Sequence, residues 1–287
     1  MTPLAWEITK VLSANRDGSH TTQYQRRMIL IRFAKDLKAL GHRGLRLNGL
    51  GNRHVSNAVR LWKQQNLTDA TIMNRLSALR WLGPKINKPN LGYDSNQVFR
   101  LTGRAPPTVN KASRLTAAVT QSVSDPHIRS SLKLQAAFGL RREEAMKLRP
   151  KWADRGTKLI LKGSWTKGGR PREIPIRTAY QRGVLEEAKR MAGNGSMIPA
   201  HKTYKQHLHT WEHVTRKAGI SKTHGLRHAY AQSQYHELTG WKSPLQGGPA
   251  RDELKAERRQ HDIEARHQIA KELGHSRITI TYVYLGR

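Results

Sequence analysis

Arg141, Lys167, His224, Arg227, His275 and Tyr284 are residue types that could act together on one anion. Arg141 follows FGL at a predicted helix start. Lys167 lies in TKGGRP, between two strand-like runs. His224 and Arg227 stand three apart in THGLRHAYAQ, on one face of a helix. His275 opens the stretch HSRITITYVYLGR, which carries Tyr282 and Tyr284. Guanidinium forks grip phosphate oxygens bidentately and stay charged at any relevant pH. A tyrosine hydroxyl, with an ordinary pKa near ~10, attacks phosphorus when cations favour the phenolate and a histidine takes its proton. A nearby ammonium can protonate the departing oxygen. Such chemistry needs no carboxylate cluster for a metal, and HGLRH is not the HExxH of a zinc hydrolase, so neither metal nor cofactor is expected. Taken one at a time, each residue also has a bland reading: a solvated Lys at a turn, a surface Arg, a chance His.

Between the two tyrosines the helical period decides. At about 100° per residue they point ~200° apart on a short helix over 276–284. Ile278, Tyr282 and Leu285 share one stripe, which makes Tyr282 a packed aromatic and leaves Tyr284 to face the anion.

The chain's charge names the class of anion. Of 287 residues, 52 are Lys or Arg and 20 are Asp or Glu, a net +32. The surplus runs through both halves, so both are expected to meet a polyanion, DNA or RNA. A general nucleic-acid coat or a ribosome-associated protein would satisfy charge alone. There is no cysteine, hence no disulfide and no thiol nucleophile. MTPLAWEITK lacks the layout of a signal peptide, and no apolar run approaches the ~20 residues that cross a bilayer. A cytoplasmic location is expected, in the bacterial cytoplasm or nucleoid, with no membrane partner.

The elements that must position these residues are mostly helical. YQRRMILIRFAKDLKALG (24–41) offers Met28, Ile31, Leu37 and Leu40 as its apolar stripe. HVSNAVRLWKQQNL (54–67) offers Val55, Val59 and Trp62. TIMNRLSALRWLG, capped by Thr68 or Asp69, offers Ile72, Leu76, Leu79 and Leu82, with Arg75 and Arg80 between them on a basic exposed face. Residues 83–113 have loop composition, and the domain boundary is expected near Ala105–Thr108. Helices follow at 115–124, 126–137 and 140–148. A hairpin of 157–165 with 172–176 comes next, then helices at 178–192 and 203–218.

Four stretches in order resemble the tyrosine recombinase (phage integrase) family: FGLRREEAMKLRPKWAD, KGGRPREIPI, HGLRHAYA and LGHSRITITYVY. TIMNRLSALRWL is also similar to the end of that family's core-binding domain. The resemblance implies a mainly α fold with a small β-hairpin: a helical core-DNA-binding bundle over 1–107 and an α+β catalytic domain over 108–287, together a C-shaped clamp on double-stranded DNA. It implies that Arg141 and Arg227 clamp the scissile phosphate, Lys167 protonates the leaving 5′ oxygen, His224 assists proton transfer, His275 hydrogen-bonds the phosphate and Tyr284 is the nucleophile. Glu144 falls where the family has an acid supporting the arginines. The implied function is site-specific recombination through a 3′-phosphotyrosyl link, by a homo-tetramer on two DNA sites, for integration or excision of a mobile element. An accessory DNA-bending protein is compatible with it. A catalytically silent DNA-binding protein and a type IB topoisomerase-like nicking-closing enzyme are the alternatives.

The sequence departs from the family pattern in two places. The 47 residues between Arg227 and His275 exceed the family's usual spacing. The excess, 237–262, reads as an inserted loop and then a long polar helix from Pro249, touching DNA, a neighbouring subunit or only solvent. His261 and His267 there receive no catalytic role. Only three residues follow Tyr284, so either assembly is expected to use a surface other than a C-terminal tail, such as the insertion, or the chain works with looser coupling; no amino-terminal arm-binding module is evident.

Overall fold

The structure is a computed structural model that describes residues 2–93, 96–103 and 107–287. The chain divides into two compact units, Met1–Ala105 and Pro106–Arg287. The boundary expected near Ala105–Thr108 falls partly on residues outside the described set.

The first unit is built of helices α1 (Pro3–Ala14), α2 (His20–Ala39), α3 (Asn52–Gln64) and α4 (Asp69–Lys85). Thr68 caps α4, its hydroxyl accepting from the Thr71 N–H. The stripes expected on α3 and α4 are buried, from Val55, Val59 and Trp62 to Ile72, Leu76, Leu79 and Leu82. The stripe on α2 is different. Leu30, Phe33, Ala34 and Leu37 face inward, while Met28 is 54% and Leu40 39% exposed. The run MILIRF is apolar on nearly every side, so periodicity alone admits two stripes and packing against α3 and α4 selects one.

Arg75 and Arg80 are not simply solvated. Asp36 is buried in this unit and accepts from Trp62 Nε1 at 2.8 Å and from Arg32 Nε at 2.8 Å. Arg75 lies 3.6 Å from the same carboxylate and stacks over Trp62. A buried carboxylate requires such partners. Arg80 donates to the Tyr93 carbonyl and to Asn96 Oδ1.

The second unit holds α5 (Ala117–Ser122), α6 (Pro126–Phe138), α7 (Arg142–Lys147), α8 (Pro150–Ala153), strands β1 (Lys158–Leu161) and β2 (Arg172–Pro175), then α9 (Ala179–Ala192), α10 (Tyr204–Lys217), α11 (His224–Thr239), α12 (Ala256–Glu272) and α13 (Tyr282–Leu285). The strands pair antiparallel, Lys158 opposite Pro175 and Leu161 opposite Arg172. The first strand is shorter than expected. Gly163–Trp165 coils into a 3-10 turn, and Trp165 packs into the core. One core joins Phe138, Leu140, Leu159, Ile174, Leu185, Tyr230, Ile269, Leu273 and Leu285. Its burial ties the ends of α6, α11, α12 and α13 together, and the chemistry-bearing residues lie at those ends. No helix of the described residues is long and apolar enough to cross a membrane.

The expected long helix after the insertion begins at Ala256, not Pro249. The expected helix over 276–284 is a 3-10 turn, Ile278–Thr281, running into the single turn of α13.

Candidate active site

Helix α6 stops at Gly139, whose backbone is left-handed, φ +61°. A Cβ there would sit 2.4 Å from Cδ1 of Tyr230. Glycine therefore ends the helix where no side chain fits and leaves its carbonyl to accept from Arg227 Nη1 at 2.5 Å. Arg141 follows, just before α7. Glu144, one turn on, reaches back: Oε2 accepts from the Arg141 backbone N–H and Oε1 from Arg141 Nη1, each at 2.7 Å.

Glu144 has a second partner that sequence reasoning missed. Arg172, the first residue of β2, donates Nη1 to Oε1 at 2.8 Å and Nη2 to Oε2 at 2.6 Å. Both side chains are buried. Burial alone would push the Glu144 carboxyl up. The Arg172 hydrogen bonds and charge, then the Arg141 charge and backbone N–H, outweigh it and hold the group at about 2. A carboxyl depressed from 4.5 to about 2 contributes about 3 kcal/mol, present above pH 4.5 and lost as pH falls through about 2. Glu144→Ala is expected to cost more, about 3–5 kcal/mol at pH 7, because it strands the buried Arg172 charge. Urea denaturation measures this, and Glu144→Ala with Arg172→Met should recover much of the loss. A cost below about 1 kcal/mol for Glu144→Ala would contradict the buried pair.

Arg227 is fully buried near the start of α11. Its Nη2 donates to the Leu273 carbonyl at the end of α12, and its Nε to the Tyr284 hydroxyl at 3.3 Å. Arg141 Nη2 reaches the same Leu273 carbonyl at 3.4 Å. The two arginines thus converge on the end of α12. Burial lowers the Arg227 pKa to about 10 against the favourable influence of Tyr284, with Arg141 and Arg172 lowering it further; it stays charged at neutral pH.

Tyr284, buried on α13, meets Arg227 on one side and His275 on the other. His275 Nε2 is 3.3 Å from the phenol oxygen and 3.4 Å from Arg227 Nη2. Burial, then the charges of Arg227, Arg141 and Arg172, hold the His275 pKa at about 4, so its ring is neutral at pH 7. His224 stands at the first position of α11 with its ring 6.0 Å from that of Tyr284. Lys167 is apart from this group. It is exposed on the turn between the strands and has no hydrogen bond or ion pair with any described residue. Tyr282 is half-buried rather than packed into the core; its hydroxyl accepts from Arg251 Nη1 at 2.8 Å.

His228 is the second residue that sequence reasoning passed over. It is buried, its ring lies 4.8 Å from Tyr284 and 5.4 Å from His224, and its Nδ1 has no hydrogen-bond partner among the described residues. Burial, followed by the charges of His224, Lys111 and Arg227, lowers its pKa to about 4. The spacing signal was present, since His228 follows His224 by one helical turn. The site is therefore a largely buried group, a phenol amid three guanidinium groups, one carboxylate and three imidazoles, whose cations outnumber its carboxylate.

The family model described as Integrase matches residues 104–233, and that described as Phage integrase, N-terminal, matches residues 1–85. No curated protein matches in sequence. Among solved structures, the XerH site-specific recombinase bound to palindromic difH substrate aligns with TM-score 0.59 and 17% identity, over 98% of this chain and 80% of its own. The Tn1549 transposon integrase bound to transposon right end DNA aligns with TM-score 0.57 and 14% identity, over 100% of this chain and 95% of its own. A lambda integrase dimer bound to a COC' core site aligns with TM-score 0.55 and 16% identity, over 97% and 94%. At such identities these likenesses speak for the fold. Two phage integrase models along one chain, on a fold shared with these recombinases, show that the protein belongs to the tyrosine recombinase (phage integrase) family of site-specific DNA recombinases.

Proposed function

We propose that this recombinase cuts and rejoins double-stranded DNA through Tyr284. The observation that carries the reading is the phenol oxygen, 3.3 Å from both Arg227 Nε and His275 Nε2, beside the point where Arg141 and Arg227 converge. The phosphate enters between the two arginines. Tyr284 oxygen attacks phosphorus and passes its proton to the neutral His275, whose basicity rises once the bound anion offsets the surrounding cations. The bond to the 5′ oxygen breaks, and that oxygen takes a proton from Lys167 on the hairpin turn. The product is a 3′-phosphotyrosyl ester and a free 5′ hydroxyl. Attack by a 5′ hydroxyl reverses each step, so rejoining needs no ATP. Donors fixed around the phosphate oxygens supply most of the rate. His224, at the rim, is assigned to proton transfer.

The assembly is a homo-tetramer on two DNA sites, serving integration or excision of a mobile element. Fifty-two basic residues in both units supply the charge for DNA contact.

A suicide substrate, nicked so that the cleaved 5′ end diffuses away, tests the chemistry. A denaturation-resistant adduct is expected, and proteolysis with fragment mass spectrometry should place the nucleotide on Tyr284. No adduct on any nicked or intact site would reduce the protein to a DNA-binding factor. Relaxation of supercoils without exchange between two duplexes would make it a nicking-closing enzyme.

A further inference from the structure

The segment between α11 and α12, foreseen only as an insertion, is built around the last turn of the chain. A 3-10 turn at Pro244–Gln246 packs against α13. Gly286, with φ +84°, has no room for a side chain: a Cβ would lie 2.9 Å from Pro244 Cβ and 3.1 Å from the Leu245 nitrogen. The Gly286 carbonyl accepts from Arg266 Nη1 at 2.9 Å, and Arg266 is itself fixed by Asp262 at 2.7 Å. Asp262 accepts from Tyr235, whose hydroxyl receives Trp241 Nε1. From this braced segment Arg251 reaches the Tyr282 hydroxyl at 2.8 Å, while Arg266 lies 5.3 Å over the Tyr282 ring. On the other side Gln232 donates to the Tyr284 carbonyl at 3.0 Å.

The one-turn helix bearing Tyr284 is too short to hold itself. Its position comes from these contacts. We propose that Arg251 and Tyr282 form a latch by which the inserted segment holds the Tyr284 turn against Arg227, making both of them positioning residues for strand cleavage. The proposal rests on Tyr284 being the nucleophile. It also accounts for the first of the two tyrosines, since Tyr282 is held so that Tyr284 is aimed. Arg251 acts through the Tyr282 hydroxyl and touches none of the reacting atoms, so it governs how often the phenol is in place rather than how tightly DNA binds.

Single-turnover cleavage of the suicide substrate at saturating protein, alongside DNA affinity, tests the latch. Arg251→Gln and Tyr282→Phe are each expected to slow cleavage about tenfold, the rate equivalent of one hydrogen bond, and to leave Kd within about twofold. Because both remove the same bond, the double variant should be no slower than either single one. Arg251→Lys, which can still donate to the hydroxyl, should recover most of the rate. Lys255→Gln, which removes a neighbouring exposed charge without reaching Tyr282, should cleave like wild type. Losses that multiply in the double variant, an unchanged rate in either single one, or a fall confined to Kd would each overturn the latch. Failure of the wild type to form any adduct would instead refute the nucleophile assignment.

Discussion

Tyr284→Phe is expected to lower covalent adduct formation by at least ~10⁴-fold, because it removes the oxygen proposed to bond to phosphorus. The change is close to a pure deletion of chemistry. The phenylalanine ring keeps its contacts with His228 and His275 and its place under Arg227. What it gives up in the folded protein are two long hydrogen bonds of 3.3 Å. Thermal stability should therefore move little, and DNA affinity should be retained or improved. Tyr282→Phe keeps the Tyr284 hydroxyl and is expected to form the same adduct, slowed by no more than about tenfold. An adduct that survives Tyr284→Phe and disappears in Tyr282→Phe would transfer the chemistry to the other residue.

That the two tyrosines face different ways was legible from period, although the local structure is not the one the period assumed. The segment is a 3-10 turn followed by one helical turn, yet residues two apart still diverge, and Tyr284 is the one that meets Arg227. The expectation for Tyr282 was wrong in kind. A hydroxyl with a cation within 2.8 Å marks a polar tether, and its partner Arg251 lies 31 positions away in a segment whose fold local patterns do not specify. The same limit hid the pairing of Glu144 with Arg172. The acid was legible through the family resemblance, which expects an acid at this position, and in the structure it reaches back to cap the turn at Arg141. Its second arginine comes from the hairpin, and only tertiary packing brings them together. A signal existed nevertheless: Arg172 alternates with Ile174 on the inward face of β2, and an arginine on a buried face needs a buried anion.

The hairpin shows the opposite case. Its existence followed from β-branched and apolar runs flanking Gly-Gly, and the strands pair as expected. Lys167 lies on the turn between the strands, where the sequence placed it, and is exposed there. The start of α12 is a third instance. Pro249 satisfies the rule for a first helical position, but Glu253 accepts from the Ala250 N–H in a local turn, and the helix waits until Ala256. Competing local hydrogen bonds decided that boundary.

Arg227→Lys separates charge from geometry. A lysine there keeps one positive charge, so if the pocket needed only electrostatic attraction, cleavage should survive within about tenfold. The guanidinium does more. It donates in three directions at once, to the Gly139 carbonyl, the Leu273 carbonyl and the Tyr284 hydroxyl, from a side chain with no exposed surface. A single ammonium on a flexible stem cannot occupy all three, and a buried carbonyl left without a donor costs about 1–3 kcal/mol. The variant should unfold at lower temperature by that measure. At a temperature where it is still folded, it should cleave the suicide substrate at least ~10³-fold more slowly, since both the phosphate grip and the aim of the phenol depend on the same fork. Thermal unfolding and single-turnover cleavage, read on the same preparation, test the two effects separately. A folded Arg227→Lys protein that cleaves within tenfold of wild type would mean that Arg141 alone holds the phosphate and that Arg227 serves only to tie α6, α11 and α12 together.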